Sequence, residues 1–405
     1  LNLDKFKKNY FYFVLPSPLI QKPTYKSLLA KVLTRGTKTY RDMNQIQRFL
    51  DDHYGASCSL GVSKVGEIQT FSATLSYPNE KFIPHNPKIT EELLELVGEL
   101  LFYPRRENGT FLEAFVETEK QQLKNVMESL YNDKASYAFY QMLKKMCPEE
   151  PFRLYSQGSL EELEEITSKG LMEFYNGFYP AWKGHIFIIG QIDEAQWIQM
   201  LEQRFPKWKE SPHPLPEPLR PYPPKEEKRF VENLEGLHQT HLYLGFRSSI
   251  HYGEGDLYAL MAANGLYGTF PHSKLFLQVR EERGLAYSTY SFLERSKGLL
   301  FAYAGISPEN QEKVVQLMKD YLREIQEGKI TDFELESTLQ GMIHSVQSIS
   351  DSPSQLAQYG LRQVLSKRKE TLEEIIEEIR SLTKDRITQA AQTLVLDTVY
   401  CLRPA

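Results

Sequence analysis

Among the residues of this chain whose types could do chemistry are Arg280 and Tyr287, seven apart in "GTFPHSKLFLQVREERGLAYSTYSFLE", residues 268–294. A guanidinium offers a planar fork of donors to a peptide carbonyl, and a phenol hydroxyl can donate to an oxyanion as it develops. Both would act by placing charge, with no proton abstracted. Spacing alone also admits a local role, with Arg280 paired to Glu281 or Glu282 and Tyr287 packed, and that is the more ordinary arrangement for a surface arginine and a half-buried tyrosine. Two other constellations are weaker. Ser27 and Lys31, four apart on a helical face, would make a nucleophile pair only if the lysine were desolvated and neutral, and such spacing is common on helices. His238 and His241 form the one close pair among nine histidines, but i and i+3 in a strand point to opposite faces, which argues for a structural role.

The elements that must position these residues read from periodicity. Around Arg280 the pattern predicts a helix with Leu275, Phe276 and Val279 inward, a stop at Gly284 and a strand from Leu285. Leu93, Leu94, Val97, Leu100 and Leu101 mark the buried face of another helix. Three segments recur in the same order in both halves of the chain. Residues 53–76 match 282–307, residues 115–133 match 333–351, and "SLEELEEI" at 159–166 is echoed by "TLEEIIEEI" at 371–379. Ser159 with Glu162 and Thr371 with Glu374 both read as capping boxes. Between the halves runs "SPHPLPEPLRPYPP", Ser211 to Pro224, in which seven of fourteen residues are proline, so that no helix or sheet ladder continues through it. The expected architecture is α+β, with two homologous tandem domains, each an antiparallel-rich sheet covered by helices on one face. The boundaries expected are 1–210, a stiff linker over 211–228, and 229–405.

Residues 26–60, "KSLLAKVLTRGTKTYRDMNQIQRFLDDHYGASCSL", resemble the zinc-site region of the pitrilysin and insulin-degrading enzyme family. In active members this helix carries H-x-x-E-H, two histidines that bind zinc and a glutamate that activates the metal-bound water. Aligned on Arg35-Gly36-Thr37-Lys38, those positions fall on Ser27, Ala30 and Lys31. Alanine has no base, serine is a poor neutral ligand and a protonated lysine repels a cation, so no metal is expected there. The family's third ligand, a glutamate on a later helix, falls near Asn125 and Val126, with Glu119 and Glu128 as neighbours. The resemblance extends over nearly the whole chain and is closest at 268–294, where it assigns Arg280 and Tyr287 a role toward bound peptide and the zinc-centred chemistry.

The resemblance therefore implies a chain that is no enzyme by itself and needs no cofactor. It would be the non-catalytic subunit of a heterodimeric zinc peptidase, closing a peptide-binding chamber against a partner with an intact H-x-x-E-H and lending it Arg280 and Tyr287. The alternatives are a peptide-binding or scaffold protein without proteolytic activity, or an accessory factor in a protein-modification pathway, the latter on a likeness to bacillar proteins associated with elongation factor P modification. Composition bounds these readings. A net charge of -5 with scattered Lys and Arg argues against nucleic acid as a partner. No apolar run approaches the roughly 18 to 20 residues that span a bilayer. Three distant cysteines, Cys58, Cys147 and Cys401, form no disulfide framework, and a cytoplasmic location is expected.

Overall fold

The computed structural model describes residues 1–83, 85, 86, 88–205 and 214–405. The chain divides into two compact units, one of Leu1–Ser129, Leu154–Glu217 and Asp351–Leu361, the other of Leu130–Arg153, Pro218–Ser350 and Arg362–Ala405. Each unit thus takes a segment from the opposite half of the sequence. Of the proline-rich stretch, residues 211–213 lie outside the described residues, and 214–227 forms neither helix nor strand.

In the first unit, strands β1 (Lys8–Pro18), β2 (Ser57–Val65) and β3 (Ile68–Pro78) are joined by helices α1 (Pro23–Leu33) and α2 (Met43–Asp52). β2 and β3 make a tight hairpin with Val65 opposite Ile68 and Gly66 at φ 56°, a conformation glycine adopts without strain. β1 pairs antiparallel with β3, setting Phe11 against Leu75, Phe13 against Ala73 and Leu15 against Phe71. Because side chains alternate along a strand, this register gathers those residues on one face. Helix α3 (Ile89–Phe102) adds its expected stripe, Leu93, Leu94, Val97, Leu100 and Leu101, to the same core. A hairpin of β4 (Arg106–Glu107) and β5 (Thr110–Phe111) turns on Asn108-Gly109, both at positive φ, the pair a two-residue loop favours. Helices α4 (Glu113–Asn132) and α5 (Lys134–Met146) follow, and β6 (His185–Ile189) completes a sheet of order β2-β3-β1-β6.

The second unit repeats this order with one strand more. Strands β7 (Lys228–Leu234), β8 (Thr240–Arg247), β9 (Ala286–Glu294), β10 (Leu299–Ile306) and β11 (Val395–Pro404) run β7-β11-β8-β10-β9. The match β9-β10-β8-β11 to β2-β3-β1-β6 is the duplication the sequence carries. Only β7 lies parallel, along β11. In the first unit Asn2 bridges Gly190 in parallel at the corresponding edge.

Helices cover one face of each sheet, and a further helix lies on the other. α5 packs on the second sheet through Met142 and Met146, which meet Tyr243, Phe301, Tyr303 and Tyr400. Gly245 permits that approach, since a Cβ there would stand 2.6 Å from the Met146 sulfur. In the first unit the segment 351–361 takes this place, where Gly360 lies against the Phe187 ring. Among the described residues no helix is long and apolar enough to cross a membrane.

Candidate functional site

Helix α1 begins with Pro at its first turn and is buried on nearly every side, from Thr24 through Leu33. Ser27 is 2% exposed. Its hydroxyl lies 3.0 Å from the Pro23 carbonyl and 3.3 Å from that of Ser156, while Gln69 of β3 donates its amide to Ser156 O at 2.6 Å and Pro23 O at 3.1 Å. Ala30 is buried in the apolar core and Lys31 is half-buried on the flank. Gly158, at φ 94°, presses on the same helix, and a Cβ there would fall 1.9 Å from Thr24 Oγ1. The three positions therefore serve packing, and their donor set does not fit a zinc ion.

Of the carboxylates near the expected third-ligand position, Glu119 is buried and forms an ion pair with Arg35, whereas Glu128 is exposed. Among the described residues no group of three or more His, Cys, Asp or Glu side chains is arranged to hold a metal ion. The capping pattern at Ser159 forms only in half. Ser159 accepts from the Glu162 amide at 3.2 Å, but the Glu162 carboxylate turns away to the amide and hydroxyl of Thr24, capping α1 instead. The matching box at Thr371 and Glu374 is complete.

Arg280 and Tyr287 stand on opposite sides of the predicted glycine stop. Residues Leu275–Glu281 form a π-helix with Leu275 and Val279 fully buried, and Gly284 at φ 60° ends it before β9. Single π-helical turns recur at functional sites because the wide turn re-aims its side chains. Phe276, expected inward, is only half-buried and lies under the Arg280 guanidinium, 4.8 Å from its ring centre. Arg280 also approaches Glu281 at 3.5 Å, so the local ion pair admitted by spacing is present at its outer limit. Tyr287 does not pack. It is 65% exposed, its hydroxyl 3.1 Å from Ser307 Oγ.

Tyr287 borders a cavity of about 610 Å³ whose lining includes Asp133, Lys134, Gln239, His241 and Tyr303, but not Arg280. His238 lines it too, which corrects the expectation that the two histidines face apart. Strand β8 starts only at Thr240, after a turn at Gly236, so strand alternation does not reach His238. His241 is 4% exposed, its Nδ1 2.9 Å from the Tyr303 hydroxyl, and burial pushes its pKa below the ordinary value. Tyr303 is itself pushed up to about 12 by burial and stacks among Tyr243 and Tyr290 at 4.8 and 4.9 Å between ring centres.

Two charged features escaped sequence reasoning. Lys26, one residue before Ser27, is 1% exposed, its ammonium 2.8 Å from Ser17 Oγ and 3.0 Å from the Pro18 carbonyl, and burial lowers its pKa to about 7. In the second unit Arg247 bridges Asp397 at 2.5 Å and Glu150 at 2.7 Å, and Glu150 also meets Lys297 at 2.7 Å. All four side chains are at most 5% exposed and their charges sum to zero. No local pattern signals such a quartet, whose members lie 50 or more residues apart.

Two like-ordered sheets, with Ser27, Ala30 and Lys31 of α1 offering no metal donor set, agree with the peptidase-type fold expected. The family described as "Peptidase M16 inactive domain" matches residues 165–342. A Bacillus subtilis protein described as "Probable inactive metalloprotease YmfF" is 30% identical over 401 residues, covering 99% of this chain and 94% of that one. The chain belongs to the pitrilysin-type, or M16, peptidase family, and is an inactive homologue within it. A second Bacillus subtilis protein, "Uncharacterized zinc protease YmxG", is 26% identical over 291 residues, 70% of each chain. Among solved structures, a conserved protein from Enterococcus faecalis superposes with a TM-score of 0.91 at 26% identity, over 100% of this chain and 95% of that one.

Proposed function

We propose that this chain is the non-catalytic subunit of a heterodimeric zinc peptidase, built of homologous domains 1–210 and 229–405 joined by 211–228 and working in the cytoplasm. It closes a peptide-binding chamber against a homologue with an intact H-x-x-E-H and extends Arg280 and Tyr287 toward that homologue's site. The observation that carries this reading is a contrast within one chain. Ser27 and Ala30 of α1 are buried, the serine held by backbone carbonyls, whereas Tyr287 is 65% exposed and the Arg280 side chain 42% exposed.

On this reading the Arg280 guanidinium donates to a carbonyl of the bound peptide, and the Tyr287 hydroxyl donates to the oxygen that gains charge as the peptide bond is attacked. Strand β9 contributes as well. It pairs with β10 on one side only among the described residues, so an extended peptide can add to its other edge through backbone hydrogen bonds. It is also consistent that Bacillus subtilis carries both a relative described as inactive and one described as a zinc protease.

The test is capture of the chain from its native lysate with mass spectrometry of stoichiometric partners, followed by reconstitution with the zinc-bearing partner. In that complex Arg280→Ala with Tyr287→Phe should lower kcat by about 10²-fold or more, the usual cost of removing oxyanion donors, while assembly by size exclusion is unchanged. Wild-type turnover in the double variant removes the role given to the pair. Recovery of this chain alone would leave the peptide-binding or scaffold reading in its place.

A further inference from the structure

We propose that the cavity beside Tyr287 is a subsite for a primary amide, the side chain of a glutamine or asparagine in the bound peptide. The inference rests on the peptide-binding reading above and adds a preference to it. At about 610 Å³ the cavity has room for a side chain and the backbone on either side of it.

The groups that line it are partnered unequally. His241 is nearly buried, and its Nδ1 is engaged by the Tyr303 hydroxyl at 2.9 Å. Its Nε2 has no hydrogen bond among the described residues, although the ring lines the cavity. Open to the cavity and without a protein partner, that nitrogen is a point at which an occupant can bond. Asp133 accepts from the Ser136 amide at 3.2 Å, the Ser136 hydroxyl at 2.6 Å and the Ala135 amide, which leaves one of its roughly four lone-pair sites open. Those hydrogen bonds from Ser136 hold its carboxyl below the usual range, so it is ionised at neutral pH. Lys134 is drawn over the Tyr131 ring, 3.6 Å from its centre.

A neutral donor or acceptor on His241 and an anion on Asp133 select among guests. A carboxylate is repelled by Asp133, and an apolar side chain leaves both groups unanswered. An ammonium satisfies Asp133 but offers nothing to a Nε2–H. A primary amide answers both, its carbonyl accepting from Nε2–H and its NH₂ donating to Asp133. This selection needs the ring proton on Nε2, with Nδ1 accepting from the Tyr303 hydroxyl, since Nε2 as an acceptor would let an ammonium answer both groups.

The full chain, labelled with ¹⁵N-histidine, is titrated with N-acetylglutamine methylamide and with its glutamate, lysine and leucine counterparts while the imidazole resonances are followed. The His241 signals, and those of His238 in the same lining, should shift saturably with the glutamine compound at a concentration at least tenfold lower than with any other, and His241→Phe should abolish the His238 response. Asp133→Asn keeps a good helix cap, so the fold is retained, and it should bring the glutamate compound to within about threefold of the glutamine one. Equal response to the glutamate or lysine compound in the wild-type chain, or none to glutamine, overturns the proposal. Anisotropy with a fluorescent 12-residue peptide pair differing at a single Gln or Leu is measured in parallel. Binding of both peptides without discrimination sinks the subsite and leaves the peptide reading; binding of neither, with the glutamine shift intact, sinks the peptide reading and leaves the amide site.

Discussion

Replacing Lys26 by methionine separates a lysine that loses its charge on folding from one that keeps it. Lys26 is 1% exposed, and burial lowers its pKa from 10.5 to about 7 against a weaker opposing pull from Glu162. The folded value lies below the unfolded one, so between about pH 7 and 10 the unfolded chain binds more protons, and stability rises with pH across that window. At about 1.36 kcal/mol per unit, the shift costs folding about 4 kcal/mol at pH 7 and about 2 kcal/mol at pH 9. Methionine is close in length to the side chain and does not titrate. The stability of Lys26→Met relative to wild type should therefore fall by about 2 kcal/mol from pH 7 to pH 9. Other titrating groups cancel in that difference. Urea unfolding followed by tryptophan fluorescence reads it, since Trp182 and Trp197 are both buried in the first unit. A wild-type and variant pair whose stabilities run parallel in pH would show that Lys26 stays protonated, and the burial argument would fail.

Two further perturbations follow from the same packing. Gly158→Ala combines positive φ with a Cβ 1.9 Å from Thr24 Oγ1, and should destabilise the first unit by about 3 to 5 kcal/mol in the same urea assay; a loss under about 1 kcal/mol would mean that α1 yields. Arg247→Met leaves Asp397 without its cation and Glu150 with Lys297 alone, and should cost the second unit about 3 to 5 kcal/mol, read as faster hydrogen exchange in β8 and β11. Unchanged exchange there would remove the quartet from the forces holding that sheet.

What the sequence disclosed was local or repeated. The apolar stripe of α3 and the paired hairpins β2-β3 and β9-β10 follow from periods of 3.6 and 2 that no distant residue overrides. The complete capping box at Thr371 is of the same kind. Where a distant partner competes, local reading fails. Glu162 has the spacing of a capping residue but is taken by Thr24, 138 positions earlier in the chain. Nothing near Lys26 in the sequence foretells its burial, because residues 154–158 and the end of β1 that enclose α1 are distant or carry no local signal. His238 was misjudged for a simpler reason, the start of β8 two residues beyond it.

The burial of Ser27 and Ala30 and the exposure of Arg280 and Tyr287 bear on one another through the cost of order. Around α1 the polar groups are largely engaged: Ser27 on carbonyls, the Gln69 amide nitrogen across two of them, Lys26 on Ser17 and Pro18, Glu162 on Thr24. Arg280 and Tyr287 are less so. One rests on a half-buried ring with an acid at 3.5 Å, the other projects with a single hydroxyl contact. Long and aromatic side chains held at a surface forfeit rotamer freedom that only contacts can offset. Within this chain those contacts are few, which is the physical ground for assigning the missing ones to a bound peptide and to the site of a partner.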